Sequence, residues 1–233
     1  MSGHRAVKSS RETRSAPLGA IGFALAAALS SAWVVAVPLT PEELAKVCAQ
    51  ADDPPHCGRL VEEVQLPRLP NLAVRDKLEL RVSLYPSGVT TFTDVETLHG
   101  GRSYSLWDFM SEINAVVLYV TDGDDASFTL LQRTNGRKTD LPSDPKLSPD
   151  RQRLVTADFC ERRCVNELAV WRVTRDGVHK ELLWRPAGVW TDATVTWKDA
   201  QTIQVDYTAA GAGKPATLTR KLADADWVRA TAK

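Results

Sequence analysis

The chain has 233 residues, with 29 lysines and arginines against 29 aspartates and glutamates. This length suggests one domain of ordinary size. The balanced charge gives no reason to expect nucleic acid as a partner, because that binding needs a basic face that releases counterions from phosphates. After the N-terminal region, no apolar stretch approaches the length that a membrane span requires.

The N-terminal region has the pattern of a secretory signal peptide. Basic residues precede an uncharged apolar run over residues 18–29, and two candidate cleavage sites of small residues follow it, at 30–32 and 34–36. A basic region, a short apolar region and a small-residue cleavage site together define such a signal. We therefore predict that residues 1–36 are removed and that the mature protein is periplasmic or secreted. The alternative is an uncleaved membrane anchor, which the alanine- and glycine-rich composition of the run disfavours.

Four cysteines follow this region, and their even number predicts two disulfide bonds in an exported protein. The sequence alone leaves three connectivities open. We favour the two local pairs, Cys48 with Cys57 and Cys160 with Cys164, because each falls where the chain is predicted to turn back on itself. The second pair lacks the two-residue spacing of thioredoxin-type motifs, so a structural role is favoured over a redox role.

Residues 37–76 are predicted to form a helical hairpin and a proline-rich linker. Thr40 and Glu43 have the spacing of a capping box, and Pro41 suits the first helical position. The sequence Asp-Asp-Pro-Pro at 52–55 ends this helix, and a second short helix follows. The first cysteine pair would join the two helices.

Residues 77–233 are predicted to form an antiparallel β domain. Apolar and polar residues alternate at its beginning and again over 190–197 and 202–208, as in strands with one buried face. Glycine-containing dipeptides that favour two-residue hairpins separate other strands. The predicted fold class is mainly β, an antiparallel meander that is either propeller-like or a β-sandwich.

One short helix is expected inside this domain, near residues 105–113. Leu106, Phe109, Met110 and Ile113 share one helical face there. The prediction therefore interrupts the meander once, early in the β domain.

A weak internal repeat is present in the C-terminal half of the chain. Ser148, Pro149 and Asp150 form a turn motif before a predicted strand. The motif resembles the blade repeat of TolB-like, WD-type β-propellers, in which such a turn joins adjacent strands of a blade, over about residues 145–222. The resemblance implies a partial or small propeller. Arg151 stands where that repeat usually has glycine.

Two groups of residues are candidates for binding. Asp122, Asp124 and Asp125 surround a predicted hairpin tip and could hold calcium, although the loop lacks the glutamate that closes an EF-hand. An ordinary solvent-exposed hairpin turn is favoured over a calcium site, and no other metal or cofactor is predicted. Aromatic platforms also bind partners, and the candidates for an exposed recognition surface are Trp107, Trp184 and Trp190.

The residues do not assemble into a nucleophile with its base or into a recognisable pair of catalytic acids. The leading hypothesis is therefore an exported, non-enzymatic protein that engages a protein partner in the envelope or outside the cell, as an accessory factor, inhibitor or immunity protein. One alternative is an exported hydrolase that acts on glycan or peptide through two carboxylates. Another is small-ligand or ion binding at a propeller-like channel.

Overall fold

The structure is a computed structural model that describes residues 38–97 and 101–230. The predicted signal peptide, residues 1–36, lies outside these ranges. Within them the chain is mainly β, as predicted, with its strands in antiparallel sheets. Two α-helices precede the sheets: α1, Pro41–Cys48, and α2, Pro54–Gln65.

Both helices begin with side-chain caps, and the capping box of α1 is the one that the sequence predicts. The Thr40 hydroxyl accepts a hydrogen bond from the N–H of Glu43, and the Glu43 carboxylate accepts one from the N–H of Thr40. Asp53 caps α2 by accepting a hydrogen bond from the N–H of His56 at 2.8 Å. These caps satisfy N–H groups that the first turn of a helix leaves without partners.

The strands of the described residues form four sheets in chain order. The first contains β1 (Ala73–Asp76), β2 (Glu79–Ser83) and β3 (Val89–Thr93). The second contains β4 (Arg102–Met110), β5 (Ala115–Asp122), β6 (Asp125–Gln132) and β7 (Lys138–Leu141). The third contains β8 (Lys146–Leu147), β9 (Arg153–Asp158), β10 (Glu167–Val173) and β11 (Val178–Trp184), and β15 (Val228–Arg229) pairs with the outer edge of β11. The fourth contains β12 (Trp190–Asp199), β13 (Thr202–Ala209) and β14 (Pro215–Lys221).

Three hydrophobic cores hold these sheets together in series. Leu118 of β5 lies in a core with residues of the first sheet, whereas its neighbour Val117, on the opposite face of the strand, lies in a core with residues of the third sheet. In the same way β10 places Trp171 in the second core and Val170 in a third core with the fourth sheet. Successive strand residues point to opposite faces. The second and third sheets are therefore buried on both faces.

The helix α2 packs against β4 and β5 through a very close approach. A Cβ atom at Gly58 would lie 2.7 Å from Cδ1 of Tyr119 and 2.9 Å from Oγ of Ser105, so any larger residue here would displace these side chains. Val61 of the same helix is fully buried. The buried Glu62 carboxylate accepts a hydrogen bond from the N–H of Leu106 at 2.8 Å. Together these contacts fix α2 across the second sheet.

The prediction of a helix near residues 105–113 is wrong. The chain forms β4 up to Met110, followed by a single 3-10 turn at Ser111–Ile113. The pairing of β4 with β5 shifts register between Leu106 and Asp108, which marks a β-bulge. A bulge adds one residue to one strand and so disrupts the two-residue alternation. The apolar residues on either side then fall at a helix-like spacing.

The predicted boundary between residues 76 and 77 divides a hairpin. Residues 73–76 were expected to belong to the linker, but they form β1 and pair with β2 in register from Ala73 with Val82 to Asp76 with Glu79. Lys77, with a φ of 52°, lies in the turn between the two strands. The β region therefore begins earlier than the alternation of apolar residues indicates.

Candidate binding site

The two disulfide bonds join Cys48 to Cys57 and Cys160 to Cys164, the local pairs that the sequence favours. The first connects the end of α1 to the first turn of α2. The second closes the loop 159–166 between β9 and β10. Asp158, whose pKa is raised by burial, accepts a hydrogen bond from the N–H of Val165 at 3.0 Å and so ties the two ends of that loop together.

The candidate calcium ligands are engaged by arginines. Asp122 accepts hydrogen bonds from the guanidinium of Arg102. Arg163, from the disulfide-closed loop, lies 3.3 Å from Asp124 and 3.1 Å from Asp125. The arginines supply the positive charge that a calcium ion would otherwise provide. Two loops of neighbouring sheets are thereby joined at this end of the strands.

The three candidate tryptophans do not form one exposed surface. Trp190 is only 5% exposed and stacks on Tyr207 with 3.8 Å between ring centroids, so the prediction that it is exposed is wrong. It begins β12 and lies in the core between the third and fourth sheets. Trp184 is half-buried, and its N–H donates to Asp226 at 3.1 Å. Trp107 belongs to β4 and packs on the core between the second and third sheets.

The opposite ends of the strands bring several loops of the first three sheets together. The N–H of Tyr85 donates to the Arg133 carbonyl, and the N–H of Arg133 donates to the Asn114 carbonyl. The Asn135 side chain donates to the carbonyl of Arg175 at 3.0 Å. We call this region the arginine loop end, and it consists of loops 84–88, 111–114, 133–137, 148–152 and 174–177.

Four arginines of the arginine loop end have no carboxylate partner among the described residues. They are Arg133, Arg137, Arg151 and Arg175. Most arginines elsewhere in the described chain form ion pairs. Arg162 and Arg229 also have no carboxylate partner in the described chain, but they lie outside this region. Unpaired arginines are therefore concentrated on the loops of the second and third sheets.

The contacts of these arginines are with neutral groups. Arg137 donates through Nη1 to the carbonyl of Asp176 at 2.7 Å. Arg133 donates to the carbonyl of Ser83 at 2.6 Å and to the side-chain oxygen of Asn114 at 2.8 Å. Carbonyl and amide oxygens orient a guanidinium but do not neutralise its charge. These contacts thus fix positive groups on a surface where an anion can reach them.

Tyr85 adds an aromatic group to the same region. Its side chain is 60% exposed in the loop 84–88. Tyrosine and arginine are among the residues that contribute most strongly to protein interfaces. An exposed tyrosine beside fixed, unpaired arginines is thus the composition expected of a binding surface.

An open cleft adjoins Arg133. It has a volume of about 440 Å³ and is lined by residues 67–72, Phe109 and Arg133. The Arg133 guanidinium lies 5.5 Å from the centre of the Phe109 ring. Burial lowers the pKa of Arg133. The cleft therefore combines an apolar lining with a partly buried cation.

The carboxyl group of Asp108 is the strongest candidate for acid–base chemistry. Burial, with a smaller effect of the nearby Asp144, raises its pKa from 3.8 to about 6. A hydrogen bond from the N–H of Phe109 at 2.8 Å opposes this increase. Raised carboxyl pKa values occur at catalytic sites, but buried structural acids have them too.

The sequence analysis missed the arginine loop end, although its signal was present. Each predicted turn in this region carries an arginine: Arg137 follows Asn135-Gly136, Arg151 follows Asp150, and Arg175 precedes Asp176. Arg151 has a φ of 61°, a left-handed conformation that glycine adopts more readily than other residues. A search for charged residues beside turn dipeptides would have found the region.

Among the described residues, no group of three or more histidine, cysteine, aspartate or glutamate side chains is arranged to hold a metal ion. In the same residues, no helix has the length and apolar character that crossing a membrane requires. The chain matches no model of a known protein family, and a search of curated proteins finds no significant match. The site itself is therefore the basis for a functional interpretation.

Proposed function

We propose that this is an exported binding protein that engages an acidic protein partner through the arginine loop end. The observation that carries the proposal is the set of four arginines on adjoining loops that have no carboxylate partner in the described chain. A partner that presents aspartates or glutamates would supply the missing charges. Complementary charge increases the rate of association and selects against partners of the wrong charge.

The scaffold supports this function by holding the loops in place. Loops of the second and third sheets are linked by hydrogen bonds from Asn135 to Arg175 and from Arg137 to Asp176. The strands that carry them are buried on both faces. A surface that is ordered before binding loses little conformational entropy on association.

An oxidising compartment suits the protein. Both cysteine pairs are bonded, and no free cysteine occurs in the described residues. Disulfides of this kind persist in the periplasm and outside the cell and are rare in reducing compartments. The search for a partner therefore begins with periplasmic extract and culture medium.

The test compares two triple variants that each lose three positive charges. The first changes Arg137, Arg151 and Arg175 to glutamine. The matched control changes three exposed basic residues elsewhere to glutamine: Arg162, Lys214 and Arg229. Each protein is tagged and cross-linked in extract, the captured proteins are identified by mass spectrometry, and the captured partner is purified for binding measurements.

We expect one stoichiometric partner with an acidic surface to bind the unmodified protein and the control equally well. The loop-end variant should associate with it at least about tenfold more slowly at low ionic strength, and added salt should reduce the difference. Equal binding by both triple variants would contradict the proposal, as would the absence of any stoichiometric partner.

The raised pKa of Asp108 supports hydrolysis as a second candidate function. A carboxyl group with a pKa of about 6 can act as a general acid near neutral pH. Screening the protein against glycans and peptides tests this alternative. Any hydrolysis that Asp108→Asn leaves unchanged does not use this residue.

A further inference from the structure

The cleft beside Arg133 is large enough to hold part of a ligand. Its volume of about 440 Å³ is within the range of pockets that hold small ligands, roughly 300–1,000 Å³. Leu69, Leu72, Phe109 and two prolines supply most of its lining. Arg133 places a guanidinium at the cleft, and none of the lining residues is acidic. The cleft thus favours a ligand that is partly apolar and carries a negative charge.

Arg133 retains donor capacity toward such a ligand. A guanidinium has five N–H groups, and the side chain of Arg133 donates one hydrogen bond to the Ser83 carbonyl and one to the Asn114 side chain. Neither acceptor carries a charge. Because the guanidinium is partly buried, its charge is weakly solvated, so a carboxylate in the cleft would be stabilised more than one on the open surface.

The C-terminal residue of a polypeptide suits this combination of groups, because it carries a free carboxylate and can also carry an apolar side chain. The cleft is open to solvent, so a ligand bound there can continue out of it. Arg133 also begins the loop 133–137, which carries Arg137 of the arginine loop end. A polypeptide that ends in the cleft would therefore have its preceding residues beside further unpaired positive charge.

We propose that the cleft binds the C-terminal residue of the acidic partner. The apolar side chain of that residue lies against Phe109 and residues 67–72, and its free carboxylate pairs with Arg133. This inference rests on the proposed function, because it identifies which part of the partner the arginine loop end recognises. It further predicts that the partner ends in an apolar residue preceded by acidic residues.

The test uses two synthetic peptides of the sequence acetyl-Asp-Glu-Asp-Glu-Phe, one with a free C-terminal carboxylate and the other with a C-terminal amide. Binding to the full mature protein is measured by calorimetry and by backbone amide shifts of the ¹⁵N-labelled protein. The free acid should bind at least about tenfold more tightly than the amide, since hydrogen bonds between charged groups typically contribute such a factor. The largest shifts should occur at Phe109 and Asn71.

Three variants locate the binding. Arg133→Gln should reduce affinity for the free acid about tenfold or more and remove its advantage over the amide. Because Arg133 also joins two loops, Asn71→Trp provides a second test: it fills the cleft from an exposed position and leaves the arginine in place. Arg162→Gln, at the other end of the strands, is the control and should bind like the unmodified protein.

The outcomes distinguish two failures: that the cleft does not bind a C-terminal residue, and that the arginine loop end does not bind an acidic partner. Equal affinity for acid and amide, together with loss of both in the Arg137, Arg151 and Arg175 triple variant, would overturn the chain-end proposal and leave the loop-end surface supported. Octanoate that binds as tightly as the peptide would identify a free fatty acid as the occupant and also overturn it. If the triple variant and the control capture the same proteins, the proposed function fails, whatever the peptides do.

Discussion

Asp108 should make the protein less stable at neutral pH than at mildly acidic pH. Its carboxyl group follows the β-bulge of β4 and accepts a hydrogen bond from the N–H of Phe109. Burial is the main cause that raises its pKa from 3.8 to about 6. Ionisation of this group is thus more costly in the folded protein than in the unfolded chain.

The sign of the effect follows from proton binding. Between pH 4 and pH 6 the folded protein holds the Asp108 proton more tightly than the unfolded chain, so the free energy of unfolding decreases as pH rises through this interval. By about pH 7 the group is ionised in both states and the loss is nearly complete. A difference of about two pKa units corresponds to about 3 kcal/mol.

Asp108→Asn isolates this contribution, because asparagine cannot ionise but can still accept the hydrogen bond from Phe109. We expect the variant to gain about 3 kcal/mol relative to the unmodified protein between pH 3 and pH 7. Urea denaturation of both proteins at pH 3, 5 and 7 measures the difference, from which the other titrating groups cancel. If the difference in free energy of unfolding between the two proteins stays constant over this pH range, ionisation of Asp108 does not destabilise the fold and the reasoning is refuted.

Two further predictions concern the contacts of α2. Glu62→Gln should reduce the free energy of unfolding by about 3–5 kcal/mol, because Arg75 loses its buried charged partner. The Arg75 side chain is 14% exposed and lies 2.8 Å from the Glu62 carboxylate. The control, Glu63→Gln at an exposed position, should change the free energy of unfolding by less than about 0.5 kcal/mol in the same urea titration. Gly58→Ala should lower the melting temperature, although alanine favours a helix over glycine by about 1 kcal/mol. The control is Gly188→Ala, where an added Cβ would have no atom within 4 Å, and it should not lower the melting temperature. Equal melting temperatures of the two variants would contradict the close approach of α2.

The strands were predictable where one face is buried. In β12 the exposed Thr194 and Thr196 alternate with the buried Val195, so the sequence shows the two-residue period directly. The strand β5 begins with four buried residues in succession, Ala115 to Leu118, because cores lie on both of its faces. Such a run identifies a strand but not which sheet covers each face. The series of cores was therefore not predictable from local pattern.

The disulfides were predictable for a different reason. The partners are only 9 and 4 residues apart in sequence. Short loops of this kind close wherever the chain turns, and both pairs lie at predicted turns. By contrast, Trp190 was misjudged because its neighbours, Pro186 and Gly188, indicate a surface connection. Its burial depends on Phe159, in the loop that follows β9, and on Tyr207 of β13.

The candidate site depends on which arginines remain unpaired, and this is a property of the whole fold. Arg59 pairs with Asp94, 35 residues away, and Arg163 hydrogen-bonds to Asp124 across 39 residues. Nothing in the local sequence distinguishes these arginines from Arg133, whose guanidinium donates hydrogen bonds to a carbonyl and an amide oxygen. The sequence indicates which turns carry arginine, but only the packing of one sheet on the next determines whether a carboxylate reaches it. The arginines that the fold leaves without one are those that a partner can use.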